Sequence, residues 1–369
     1  MVGKSAPKPP PSADLPREEI EQRVKKSVAR TLARNIPGLA LPQTALDLEV
    51  GLTPKDVAYT RDTLRLYHYR PLVAEVYRVP VLIVMSPVAR GYILDLAKGQ
   101  SFIEYLLLQG YDVYLMDWTA PRREHSHIGL KDFALDLIDE SIAKVQAESG
   151  EQEITLVGYC MGGLLSVINA ALRVDGPIKN LVCFTTPVNA EGMALYKTWV
   201  DAEAFDIDLL VEQLGVIPGE MISASIQALR PFQKRANQMQ LLNNVENDAF
   251  VKATLRFDRW ATDQLPLPGA LAREFVRDFL RKNLLIKNAL KIDDKIVDIS
   301  KIRVPFIHVA AEFDHIVPTA ASSDLINLVG SEDKQEIVIR GGHVSLVAGG
   351  NAVYRLWPQL DRWLNVRSV

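Results

Sequence analysis

Apolar positions along the chain change their spacing several times, and each change marks an element. Leu64–Tyr69 alternates as a strand with one buried face does. Val81–Met85, Tyr111–Met116, Ile154–Val157, Leu181–Thr185, Val304–Ala310 and Gln335–Ile339 are short, largely apolar runs that suit strands buried in a sheet. Helical spacing lies between most of them, as in Leu164–Leu172. Strands alternating with helices predict βαβ units, and so a mostly parallel sheet with helices on both faces. From about residue 187 to residue 302 the strand pattern stops. Long helical stretches replace it, with Trp199, Trp260 and the turn Leu265-Pro266-Leu267-Pro268-Gly269 among them. This predicts a helical cap inserted into an α/β domain spanning residues 61–369.

Residues 1–16, with Pro7, Pro9, Pro10 and Pro11, are too proline-rich and polar to pack, which predicts a disordered tail. Residues 17–60 read as an N-terminal helical segment. Within Arg17–Asn35, Ile20, Val24, Val28 and Leu32 recur near one face and basic residues occupy the others. Docking on the main domain is preferred for this helix over contact with a partner or a lipid-like surface.

Composition narrows the function classes. With 48% hydrophobic residues among 369, the chain can bury a large core. A formal net charge of -3 supplies no global basic field, which argues against nucleic acid as the main partner. No apolar run approaches the roughly 18 residues of a membrane span. The two cysteines, Cys160 and Cys183, follow a start without an apolar signal segment, so free thiols in a reducing cytoplasm are expected.

The chemistry starts at Gly158-Tyr159-Cys160-Met161-Gly162, set between an apolar run and a helical stretch. This is a nucleophile elbow carrying sulfur. Such a turn holds its nucleophile at strained angles with neighbours packed closely, so positions two before and two after it must lack side chains. A thiol needs a base, and the base needs an orienting group. His343, in Arg340-Gly341-Gly342-His343, follows the last strand, and Asp314 follows the strand before it. Nucleophile, acid, histidine is the chain order of the α/β-hydrolase fold, the fold class expected here. His315 ranks second as the imidazole, because its direct attachment to Asp314 points the two side chains apart. The developing oxyanion needs two backbone donors. One is Met161 N–H; the other lies on the loop at Val88 or Ala89, with Val88 taken as the first choice. Each residue also has a plainer reading: Cys160 as a buried structural thiol, Asp314 as a loop carboxylate bound to nearby amides, His343 as a turn cap. Cys183 and His308 read as strand residues in the core. His125 and His127 lack a third ligand and have Arg122 and Arg123 beside them, so no metal is assigned.

These features together resemble the polyhydroxyalkanoate synthase family. Thr53-Pro54-Lys55-Asp56-Val57, Leu64-Arg65-Leu66-Tyr67, Gly91-Tyr92-Ile93-Leu94-Asp95-Leu96, Asp117-Trp118, the Gly-x-Cys-x-Gly-Gly box, Asp314-His315-Ile316-Val317-Pro318 and Gly341-Gly342-His343 follow that family's landmarks in order. The length and the run Ser331-Glu332-Asp333-Lys334 look like the short, two-component members. Met161 stands where those usually carry glutamine, and Thr319 where long members carry tryptophan.

The resemblance implies Cys160 as nucleophile, His343 as its base and Asp314 as the third member. It also implies an acyltransferase that polymerises 3-hydroxyacyl-coenzyme A, 3-hydroxybutyryl-coenzyme A foremost, through a cysteine thioester. Acyl-coenzyme A is then a substrate, and no bound cofactor is expected. A helper synthase subunit, a homo- or hetero-oligomer, and a growing polyester chain or granule surface in the cytoplasm are the implied partners and place. Arg122 and Arg123 are the only cations suggested for the nucleotide end of coenzyme A. The rival readings are a thiol-dependent polyester depolymerase or thioesterase, and a noncatalytic granule-associated homologue.

Overall fold

The structure is a computed structural model that describes residues 48–369 apart from Val245. The expected tail over residues 1–16 and the helix Arg17–Asn35 lie outside the described residues.

Eight strands form the main sheet: β1 (Lys55–Arg61), β2 (Leu64–Tyr69), β3 (Val81–Val84), β4 (Val113–Trp118), β5 (Ile154–Tyr159), β6 (Ile178–Phe184), β7 (Phe306–Ala311) and β8 (Lys334–Ile339). Their order is β1-β2-β4-β3-β5-β6-β7-β8. β2 pairs antiparallel with β1 and β4, and every other pairing is parallel. The carboxyl ends of β3, β5, β6, β7 and β8 therefore point the same way, and their loops meet at one rim. Ligands bind at such rims in parallel sheets.

The expected helical segment over residues 17–60 is corrected at its end, because Lys55–Arg61 is a strand. Asp62 and Thr63 close a hairpin onto β2, with Arg61 opposite Leu64 and Asp62 at φ 49°. Aspartate tolerates the left-handed region, which lets the chain reverse there. Helical spacing did not extend into this stretch, and cross-strand pairing decides its conformation.

The helices that matter for the site lie beside these strands: α1 (Phe102–Leu108), α2 (Leu137–Ser149) and α3 (Met161–Leu172). α3 is buried from Met161 to Ala171. A helix apolar on all sides belongs inside the protein. Leu165, Val167 and Ile168 are 0% exposed, each worth about 1.5–3 kcal/mol of burial. This fixes the start of α3 rigidly against β5.

Within residues 187–302 the chain is mostly helical, including α4 (Ala194–Asp201), Ile207–Leu214, Gly219–Ala228 and Gly269–Glu274. Two short antiparallel pairs also occur there, Val216–Ile217 with Leu267–Pro268 and Lys291–Ile292 with Lys295–Ile296. Two-residue strands leave too little pattern to be seen in a sequence. By internal contacts, residues 187–231 and 258–302 belong to the same compact unit as the sheet, whereas Phe232–Phe257 group with Leu48 in a second unit. Within that second unit Leu48, Val251 and Leu255 form a small apolar cluster with Leu241 packed on it. Among the described residues no helix is long and apolar enough to cross a membrane.

Candidate active site

Cys160 is the single residue between β5 and α3, with φ 57° and ψ -122°. That conformation is strained for a residue with a side chain, and it persists because strand and helix fix both ends. The flanking glycines are needed on steric grounds. A Cβ on Gly158 would sit 2.4 Å from Gly163 Cα, and one on Gly162 would sit 2.0 Å from Val84 O. Cys160 N–H donates to Phe184 O at 2.9 Å, tying the elbow to the neighbouring strand. Cys160 and Cys183 are both free thiols, the first partly exposed and the second buried.

Asp314 lies in the loop after β7, and its two oxygens do different work. Oδ1 accepts Ile316 N–H and Val317 N–H, each at 2.9 Å, in a local turn. Oδ2 lies 2.7 Å from His343 Nδ1 and accepts the Thr185 hydroxyl at 2.6 Å. The plain reading of a loop carboxylate thus describes one oxygen, and the site uses the other. Burial alone would raise the Asp314 pKa, but the charge and hydrogen bond of His343, with the bonds from Thr185 and Val317, lower it.

His343 opens a short helical turn just past β8 and is 4% exposed. Burial disfavours its charged form. The Asp314 carboxylate and then Cys160 outweigh that, raising the pKa from 6.5 to about 10. Cys160 contributes both charge and a side-chain hydrogen bond to this shift. With Nδ1 committed to Asp314, Nε2 is the nitrogen left for the sulfur. Tyr159 supports the ring from below the elbow, donating its hydroxyl to His343 O at 3.2 Å with the ring centroids 5.2 Å apart.

The structure thus brings Cys160, His343 and Asp314 together. His315 is adjacent but does not take His343's place. Among the described residues its buried Nδ1 has no hydrogen-bond partner, and burial followed by the nearby Arg230 charge lowers its pKa.

Both backbone donors named from sequence are unengaged among the described residues. Met161 is the first residue of α3, where a helix leaves its N–H groups free. On the loop after β3, Ala89 N–H donates to Ser86 O at 3.0 Å, while Val88 N–H has no backbone or side-chain acceptor. Of the two, Ala89 N–H is therefore engaged and Val88 N–H is not. The Met161 side chain helps line an apolar cavity of about 20 Å³ with Leu164, Leu165, Phe275 and Phe279, room for roughly one water.

His308 sits on β7 at 0% exposure, its Nδ1 2.9 Å from Glu336 Oε1. His125 Nδ1 accepts Arg122 N–H at 3.0 Å. Arg122 is exposed, and Arg123 donates to Gln213 O at 3.3 Å. Sequence reasoning missed Thr185 and the support given by Tyr159. Thr185 is the last residue of an expected strand, and nothing in its neighbours signals φ 41°.

The comparisons with known proteins bear on the fold and the family. A family model for the alpha/beta hydrolase fold matches residues 93–349, and one described as Poly-beta-hydroxybutyrate polymerase (PhaC) N-terminus matches residues 41–106. The poly(3-hydroxyalkanoate) polymerase subunit PhaC of Allochromatium vinosum is 35% identical over 327 residues, covering 87% of this chain and 90% of the relative. The subunit of the same name from Haloferax mediterranei is 32% identical over 352 residues, 95% of this chain and 71% of the relative. Among solved structures, a putative lipase from Sulfolobus solfataricus superposes with a TM-score of 0.58 at 19% identity, covering 82% of this chain and 90% of its own. That likeness concerns the fold alone. Elbow, rim and sequence agreement over most of the length converge: this chain belongs to the poly(3-hydroxyalkanoate) polymerase subunit PhaC family, built on an α/β-hydrolase fold.

Proposed function

We propose that this chain is a polyhydroxyalkanoate synthase that polymerises 3-hydroxyacyl-coenzyme A, 3-hydroxybutyryl-coenzyme A foremost, through a thioester on Cys160. The observation that carries the reading is His343, held by Asp314 at 2.7 Å and interacting with a cysteine at a strained elbow. In this reading His343 Nε2 takes the Cys160 proton, and the thiolate attacks the donor carbonyl. The oxyanion is received by Met161 N–H and Val88 N–H. As the tetrahedral centre collapses, the imidazolium protonates the departing coenzyme A sulfur, and an acyl-enzyme remains.

Thioester replaces thioester, so the acyl group stays activated. The 3-hydroxyl of a second unit then attacks, gives its proton to His343, and forms an ester one unit longer. Water has to be excluded for this outcome rather than hydrolysis. Helices within residues 187–231 and 258–302 are the natural barrier.

A helper subunit belongs to the same proposal, supported by relatives whose names describe subunits of a polymerase, and so do self-association and residence at a granule surface in the cytoplasm. Purified protein is supplied with 3-hydroxybutyryl-coenzyme A, and the products are separated. Insoluble polyester with coenzyme A release supports the reading. Free 3-hydroxybutyrate identifies a thiol hydrolase, and no turnover by protein purified together with its co-expressed subunit identifies a noncatalytic homologue.

A further inference from the structure

The loop Ser86–Gly91, which carries Val88 N–H, is fastened from two sides. From the sheet, Trp118 Nε1–H donates to Met85 O at 2.9 Å, and Asp117 Oδ1 accepts Gly91 N–H at 3.0 Å. These bonds hold the two ends. The middle is held by the segment Trp260–Leu265. Leu265 N–H donates to Val88 O at 2.8 Å, and Trp260 Nε1–H donates to Arg90 O at 3.2 Å. The Asp263 carboxylate accepts Arg90 Nε–H on one oxygen at 3.1 Å and the Tyr92 hydroxyl on the other at 3.2 Å.

The peptide joining Val88 to Ala89 is thereby fixed at both polar ends. Its carbonyl is taken by Leu265, and its N–H by Ser86 O at 3.0 Å. On the other side Pro87 restricts its own φ. Val88 N–H is left without an acceptor among the described residues, as are Ser86 N–H and Arg90 N–H, and it adjoins the peptide held by Leu265 and Ser86. An oxyanion donor works only when it is already in place, since reorganisation during the reaction cancels its benefit. Asp263 thus touches both Arg90 and Tyr92, the two side chains that flank this loop's end.

We propose that Asp263 is a positioning residue: through Arg90 and Tyr92 it clamps the segment Trp260–Leu265 onto the loop and so aims the Val88 N–H at the developing oxyanion. The proposal rests on the thioester reading above. The Arg90 and Asp263 side chains are 35% and 36% exposed, and an ion pair that open to water adds little to folding stability. Its effect therefore falls on rate.

The test compares two reactions of the same sulfur in the full-length chain. Acylation by 3-hydroxybutyryl-coenzyme A passes through an oxyanion; alkylation by iodoacetamide displaces iodide at a saturated carbon and does not. Asp263→Asn is expected to slow single-turnover acylation about tenfold or more, short of the roughly 10²–10³ for outright loss of a donor. Alkylation is expected to stay at the wild-type rate. Trp260→Phe, which keeps a ring but removes the bond to Arg90 O, is expected to shift the same ratio if Asp263→Asn fails to fold. Acylation unchanged in the folded variant, or both rates falling together, overturns the proposal. A wild-type chain, purified with its co-expressed subunit, that is alkylated but never acylated removes the thioester reading itself, a result distinct from a wild type that acylates and an Asp263→Asn variant that matches it.

Discussion

Thr185 donates its hydroxyl to Asp314 Oδ2 at 2.6 Å from a backbone held at φ 41°. Positive φ is an outlier for a β-branched residue, and such strain costs about 1–3 kcal/mol. It lies at the carboxyl end of β6, beside β7, where the chain has to turn while presenting a donor to a buried carboxylate. Strain and site coincide here, as they do at Cys160.

Thr185→Val keeps the shape and the strain but removes the donor. A hydrogen bond to a charged group is worth about 1.5–3 kcal/mol, so denaturant unfolding should show a loss of that size. Coenzyme A release should slow by about tenfold, the equivalent of roughly 1.4 kcal/mol at the barrier. An unchanged rate would separate Thr185 from the function of Asp314.

Gly162→Ala places a Cβ 2.0 Å from Val84 O, a backbone atom at the end of β3. Neither the strand nor the buried α3 can yield freely. Destabilisation at or beyond the about 1–3 kcal/mol typical of overpacking is expected, measured as a lower unfolding midpoint. A variant as stable as wild type would mean that the elbow is looser than described.

The His343–Asp314 pair makes stability depend on pH in a defined direction. His343 is raised from 6.5 to about 10 in the folded chain, so its contribution is complete below pH 6.5 and is lost as pH rises towards about 10. Asp314 is lowered from 3.8, so its contribution is present above that pH and is lost as the medium is acidified through the folded value. Unfolding free energies of wild type and His343→Gln, compared across pH, should differ most between about pH 4 and pH 6.5 and converge as alkali is approached. A difference that grows above pH 7 contradicts the assignment.

Cys160→Ser preserves the turn but replaces a thioester by an ester, which is a poorer donor to an alcohol. Polymer formation should fall by several orders of magnitude while the unfolding midpoint stays near that of wild type. Wild-type polymerisation by this variant would contradict the argument from sulfur.

Much of this was legible in the sequence, for a physical reason in each case. Buried parallel strands must be apolar along their length, so β3, β5 and β7 announced themselves. The elbow was legible because sterics permit only glycine at residues 158 and 162, and the two contacts above show why. Asp314 and His343 followed from chain order and strand ends, although only the folded chain shows that Asp314 divides its oxygens between a turn and a histidine. β1 was missed because its pairing, not its own pattern, makes it a strand. Thr185 and Asp263 act through contacts between residues far apart in sequence. No local spacing encodes those.

The central claim is a covalent acyl-enzyme on one sulfur. Intact-mass and peptide mass spectrometry of the protein quenched shortly after mixing with 3-hydroxybutyryl-coenzyme A tests it most directly. The account predicts a 3-hydroxybutyryl or short oligomer adduct on the peptide containing Cys160, absent in Cys160→Ala. Coenzyme A release at the wild-type rate from Cys160→Ala, or turnover in the wild type with no adduct on that thiol, would contradict it.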